Sequence, residues 1–468
     1  MKKLVLIVVA AIGVAIVPTI FAHHSCDEKL DALSHTVLTT VASAESVNSE
    51  MTSFTDSCCD RVRGESRAPS CSCSTTAITA AGTLPTAGAY CLANDITGDI
   101  DAPGLQVKIN LNGHKVTGSV TIGERSYLYG GTITDTLTVG SFSHIEQVTI
   151  ANLVGSNSVG VLVNDVFFSE ASTTMPGFDS ITFCNTLFNG DIEFQTTKDI
   201  ILRHSQIRGN FLYNTDQLLE RVFFYDSSVQ GSCTIATVAN MLSFGAWNSS
   251  FQNFNLAMNL VSAPYPVVTA HGSTFKRFAL TNSGAATGMV GLIDECTCEQ
   301  LVLTKAANLR CQNTVVNALS TGAAVVATDC EQVTFDHVQA YSEVDVGFGV
   351  YNGKNILLKQ CSAVSTSGAV AAFDFTDSAV TNLNLFECVA KNSSPGFYFG
   401  SGAMTGTVIR CVADNCSTGF YAELSDMKVV FSGNTSLCYE PSLGNPFNRT
   451  DAVVTAVSWR NIGISCGA

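Results

Sequence analysis

Charge is what this chain has least of: Asp, Glu, Lys and Arg make up 13% of its 468 residues, and 39 acids outnumber 24 bases. With 46% of residues hydrophobic, so little charge excludes a disordered chain. The shortage of bases, a formal net charge of −15, argues against nucleic acid or an anionic membrane surface as a partner. Tryptophan is confined to Trp247 and Trp459, which leaves little for a tryptophan-lined sugar platform. After Ala22 no apolar run is long enough to span a bilayer. Also missing are a P-loop, H-E-x-x-H and the C-x-x-C spacing of structural zinc sites, so these common enzyme and metal classes have no foothold.

What the chain does have is a repeat. Between Ile181 and Leu280 the segments TLFNGDIEF, SQIRGNFLY, SSVQGSCTI, SSFQNFNL and STFKRFAL each open on small polar residues and close on alternating apolar ones. Their lead positions, Phe188, Ile207, Val229, Phe251 and Phe275, are separated by 19, 22, 22 and 24 residues. A drifting period of this size predicts a solenoid. Even separations such as Phe188, Ile192 and Phe194 place side chains on one face of a strand, and no unit holds enough helix-periodic residues for a strand and helix repeat. Gly190, Gly209 and Gly231 recur two residues after the lead position, where a solenoid turns a corner.

The ends differ from this body. Met1 to Ala22, two lysines followed by a long apolar run, reads as an export signal, or as an N-terminal membrane anchor if it is not cleaved. From Asp27 to Cys58, apolar residues from Leu30 to Phe54 follow steps of three and four, which predicts an amphipathic or coiled-coil helix and, in the second case, a homo-oligomer. Residues 59–80 form a Cys- and Ser-rich linker whose Cys59, Cys71 and Cys73, with Cys58, fit disulfides in an exported protein better than a metal site. Pro441 and Pro446 introduce a C-terminal cap or tail over 439–468.

The segment from Ala81 to Gly118 contains Gly88, Tyr90, Leu92, Asp95 and Ile96, then Leu111, Asn112, Gly113, His114 and Gly118. It resembles the entry coil of right-handed parallel β-helix proteins of the pectin-lyase-like class, and the general layout resembles exported β-helix proteins of intracellular bacteria. That resemblance implies the fold and leaves the activity open. Many members of the class are polysaccharide lyases or hydrolases. The motifs of the polygalacturonase type are not intact here: Asn112-Gly113-His114 and His271-Gly272 lack the aspartates that chemistry on a glycosidic bond requires. The acid pairs Asp99 with Asp101, Asp294 with Glu295, and Glu343 with Asp345 do not recur at coil spacing beside a base, so they read as solvated turn residues.

Further along, Cys361, Cys388 and Cys411 open a second form of the repeat, in which Val370, Phe397 and Phe420 follow nine residues later. Asn392 and Asn415 match at plus four and predict stacked amides. The three stacked cysteines read as small buried apolar residues, with Cys411 and Cys416, and Cys296 and Cys298, as other pairs that could bridge.

The expectation is an all-β chain: a right-handed parallel β-helix solenoid over 81–438 behind a short N-terminal helix, exported to the periplasm, cell surface or medium. It is expected to act as a structural or surface-binding protein, adhesin-like, with a glycan or host surface as partner. No catalytic, cofactor-binding or metal-ligating residue and no cofactor is assigned. The alternative is a polysaccharide lyase or glycoside hydrolase of the same class with a divergent site.

Overall fold

The computed structural model describes residues 75–437, apart from 85–86, 214–218, 237–242, 259–265, 285–289, 321, 368–369, 377–379, 401–403 and 424–427, together with the strands Phe447–Arg449 and Ile462–Ile464. The expected export segment, the N-terminal helix, most of the linker and most of the C-terminal cap lie outside these residues.

Every coil contributes to three parallel ladders. The first runs from Thr76–Ile78 through strands such as Ser180–Cys184, Asp199–Arg203 and Ser243–Trp247 to Lys428–Ser432. The second holds the repeat's lead positions, stacked as Phe188, Ile207, Val229, Phe251 and Phe275 on successive coils. The third begins with Gly82–Thr83 and ends with Phe447–Arg449. Because strands of neighbouring coils pair in parallel and in register, identical faces stack, and the solenoid expectation is met as an all-β parallel β-solenoid. Thr76–Ile78 pairs with Tyr90–Leu92, so the first coil begins a few residues before the expected boundary at 81, and Ile462–Ile464 extends the second ladder into the expected cap.

The core is the inside of this prism. Alternate residues of each strand point inward and are almost wholly buried, as in Phe183 and Ile181, Ile200 and Leu202, or Phe211 and Tyr213. Volume is traded between ladders. In the last coils the second ladder presents Ala340, Ala363, Ala390 and Ala413, while the third presents Phe348, Phe373, Phe397 and Phe420. Close packing tolerates the small residues only because the large ones face them. Phe373 and Phe397 stack at 4.8 Å and 3°, and Phe397 and Phe420 at 4.7 Å and 3°. Phe373, not the expected Val370, is therefore the residue equivalent to Phe397; the link preceding it is longer than in the next two coils.

Two corners show why the sequence folds this way. Gly209 donates its N–H to the Gly190 carbonyl and Gly231 to that of Gly209. A Cβ on Gly209 would sit 2.4 Å from the Gly190 carbonyl carbon, so the glycines are required by close backbone approach. The corner from first to second ladder instead turns on one left-handed residue per coil, among them Asn185, His204, Asp226, Asn248, Gly272, Glu295, Asn313, His337 and Gln360, with φ between 47° and 57°. Asn, Asp and Gly tolerate that conformation best.

Immediately after the left-handed residue comes a small buried polar side chain. The Ser205, Ser227, Ser249 and Ser273 hydroxyls accept the backbone N–H of Thr186, Ser205, Ser227 and Ser249, at 3.2, 3.2, 3.2 and 3.1 Å. Each hydroxyl donates to the carbonyl two residues back, as Ser227 does to Tyr225 at 2.7 Å. Further on, Cys296, Cys361, Cys388 and Cys411 take the same slot and point Sγ at the equivalent carbonyls. These thiols are free and buried, as are Cys298 and Cys416, so neither Cys296 with Cys298 nor Cys411 with Cys416 forms a bridge. Cys91 and Cys184 are each disulfide-bonded.

Candidate functional site

The residue just before each left-handed corner is the last of its first-ladder strand, and its side chain points out of the prism. In-register pairing therefore lines up Trp247, His271, Asp294, Gln312, Asp336 and Lys359 on six successive coils, one side chain per rung. Rung spacing in a parallel sheet is about 4.8 Å. The left-handed residues beside them, Asn248, Glu295, Asn313, His337 and Gln360, form a second polar row.

The contacts along this corner are dense. The His271 imidazole lies 3.4 Å from Asp294 Oδ2 through Nδ1 and 3.8 Å from Glu295 Oε2 through Nε2. Asn313 Nδ2 donates to Asp294 Oδ1 at 3.0 Å. One rung further, Asp336 is surrounded by bases: Arg310 Nη2 at 2.9 Å, His337 Nδ1 at 2.8 Å and Lys359 Nζ at 3.8 Å. The Asp336 side chain is only 9% exposed, so these partners offset the cost of burying its charge. Arg310 keeps a buried Nε without a hydrogen-bond partner. At the other end Tyr225 stacks on Trp247 at 4.7 Å and 10°, and the Arg203 guanidinium sits 4.3 Å above the Tyr225 ring. Trp247 leans back across Gly245, where a Cβ would meet the indole carbons at 2.1 Å.

Of the acid pairs singled out from the sequence, Asp294 and Glu295 are brought beside a histidine and an amide. The other two are not part of this corner. Asp99 Oδ1 accepts the Ser119 N–H, and Asp345 Oδ1 accepts the Val346 N–H. His114 pairs with Asp95 at 3.2 Å in the entry coil; the Lys115 N–H, then the His114 hydrogen bond, lower the Asp95 pKa. His271-Gly272 belongs to the corner, whereas Asn112-Gly113-His114 is remote from it. Asp336, Arg310 and Lys359 escape a reading by spacing because their separations along the chain, 26 and 23 residues, differ coil by coil. A local signal does exist: a polar residue capable of left-handed φ followed by Ser, Thr or Cys, with the next inward position two residues after that, as in Ser205 and Ile207 or Ser227 and Val229.

No protein-family model matches the chain, and no curated protein is similar to it in sequence. Among solved structures, it is similar to the periplasmic alginate epimerase AlgG, with 12% identity, 76% of this chain and 77% of that chain covered, and a TM-score of 0.28. A second is the Azotobacter vinelandii mannuronan C-5 epimerase AlgE6 A-module, with 10% identity, 83% and 91% covered, and a TM-score of 0.23. A third is tailspike protein 3 of bacteriophage CBA120, with 11% identity, 80% and 57% covered, and a TM-score of 0.23. Likenesses this distant assign no activity.

The third ladder carries a smaller outward patch. The Tyr398 and Tyr421 hydroxyls donate to Glu423 at 2.7 and 3.2 Å, and Tyr351 donates to Asp374 at 3.1 Å. Burial, then the bond to Glu423, pushes the Tyr398 hydroxyl well above its ordinary range. Among the described residues, no three His, Cys, Asp or Glu side chains converge as a metal site. What the corner offers chemically is a line of hydrogen-bonding groups whose carboxylates are already engaged by bases or amides.

Proposed function

We propose that the protein is an exported β-solenoid that binds an extended glycan along the corner between its first and second ladders. The observation that carries this reading is the unbroken row from Trp247 to Lys359, one outward side chain per rung. A scaffold with one outward side chain per rung suits a ligand that is itself periodic, successive sugar units meeting successive rungs. Along the corner the acids Asp294, Glu295 and Asp336 face the cations Arg310 and Lys359 and the imidazoles of His271 and His337, a small sum of charge that favours a polymer of little net charge. Export rests on the lysine-flanked apolar segment Met1 to Ala22, and self-association on the heptad-like residues 23–58. The test is binding of the mature chain to an array of polysaccharides, repeated with Trp247→Ala and Asp336→Ala. A bound polymer whose affinity falls about tenfold in Trp247→Ala supports the reading. No bound polymer, or affinity unchanged in both variants, removes it.

A second reading has one observation in its favour. Asp294 and Asp336 stand on the same row two rungs apart, about 9.6 Å at the backbone, close to the carboxyl separation of inverting glycosidases. Against it, Asp336 is held by Arg310, His337 and Lys359 and is almost wholly buried, which ill suits a general acid or base that must reach a glycosidic bond. Release of reducing ends that Asp294→Asn and Asp336→Asn both abolish would establish hydrolysis.

A further inference from the structure

A second, uncharged site lies on a different face. The strands Val315–Ala318, Gln339–Ser342 and Ser362–Ser365 of the second ladder lie side by side, and their outward residues pair as Val315, Gln339 and Ser362 in one column and Asn317, Tyr341 and Val364 in the next. Here the link to the third ladder lengthens: the chain passes directly from Phe275 to Phe278 in an earlier coil, but from Val316 to Val325 in this one. The step leaves an open cleft of about 420 Å³.

We infer that this cleft is a binding site for an uncharged sugar unit, separate from the charged corner. None of its lining residues carries a formal charge, although the chain as a whole is at −15. A charged ligand finds no ion-pair partner among the lining residues; the next charge along that column is Lys391, one rung beyond Val364. The Asn317 and Gln339 amides and the Tyr341 and Ser362 hydroxyls all line the cleft, and their side chains make no hydrogen bond to another described residue. Val315 and Leu319, 41% and 51% exposed, supply an apolar floor with Val364 and the Tyr341 ring. An apolar surface with a few uncommitted neutral donors and acceptors matches the two faces of a hexose, C–H groups on one side and hydroxyls at the rim. The volume suits one or two such units rather than a peptide helix.

The inference rests on the glycan-binding reading only for the kind of ligand, not for its place. It is tested by titrating the full chain with short uncharged oligosaccharides of glucose, mannose and galactose, and in parallel with oligogalacturonate and deacetylated chito-oligosaccharide, by calorimetry. At least one uncharged oligomer is expected to bind, about tenfold more weakly in Tyr341→Ala and detectably more weakly in Asn317→Ala, with the charged oligomers at least tenfold weaker than the best neutral one. Both substitutions are on outward side chains, and unchanged circular dichroism and melting temperature verify the fold. Binding unaffected by Tyr341→Ala, preference for a charged oligomer, or no binding of any uncharged oligomer overturns the inference. Trp247→Ala separates the two sites: if it abolishes polymer binding while the Tyr341 variant does nothing, the corner stands and the cleft falls, and the reverse pattern removes the corner.

Discussion

At the residue scale the serine column inside the first corner does the most for its size. Each hydroxyl accepts the N–H of the coil before and donates to the carbonyl that precedes its own turn, so the backbone beneath Tyr225, Trp247 and His271 is fixed from within. Ser227→Ala leaves the buried N–H of Ser205 without its acceptor and is expected to cost about 1–3 kcal/mol, read by urea unfolding. Cysteine fills the same slot in later coils, which explains why Cys388→Ser is expected to change stability by less than about 1 kcal/mol. Both ends of the pH scale have a residue-level cause. Burial raises the Cys296 and Cys330 thiols from 9.0 to about 12. The unfolded chain ionises them at the ordinary value, so their contribution is whole below pH 9.0 and is lost as pH climbs towards 12. Burial lowers His144, packed on Tyr127 and beside Glu146, from 6.5 to about 4. Its contribution is whole above pH 6.5 and is lost as pH falls towards 4, and melting curves of His144→Gln should be flatter over that interval.

At the scale of the element, the trade of phenylalanine against alanine sets which positions matter. Phe397 is sandwiched between Phe373 and Phe420, so Phe397→Ala removes two stacked contacts and opens a cavity, with an expected loss of about 3–5 kcal/mol; Phe397→Leu should lose less than half of that. Melting temperature and denaturant midpoint both read it. Strand positions were legible in the chain because an inward residue every second place leaves a period that survives drift: Phe188 to Phe275 stack as the repeat implies. Asn415 likewise donates to Asn392 at 2.9 Å, as matched positions predict. Where a link lengthens, a fixed count from the preceding cysteine lands on Val370, three residues short of Phe373, which occupies the stacked position. The charged corner was illegible for a related cause. Arg310, Asp336 and Lys359 become neighbours only through three-dimensional register, and no fixed interval in the chain announces it.

At the scale of the molecule, a solenoid has no single core whose loss unfolds everything at once; each coil is held chiefly by the two it touches. Amide exchange should therefore be graded along the axis. The terminal strands Thr76–Ile78 and Ile462–Ile464 are expected to exchange first and the phenylalanine-rich coils between Phe188 and Phe278 last, by at least about two orders of magnitude. Uniform exchange across all coils would show one cooperative unit instead. The weak sum of charge along the corner also predicts glycan binding that changes little with salt, unlike recognition of a polyanion.

The prism is unequal in where it accepts extra chain. The step from Phe183 to Phe188 is repeated without change from Leu202 to Ile207 and as late as Leu385 to Ala390, whereas the other two edges already absorb loops of different sizes. A peptide spliced in between Leu319 and Ala323 would hang off the rod like a tag on a rail, while the same peptide placed after Glu387 would push every later rung out of phase with its neighbour. Edits to this protein, natural or engineered, thus have two permissive margins and one that acts as its ruler.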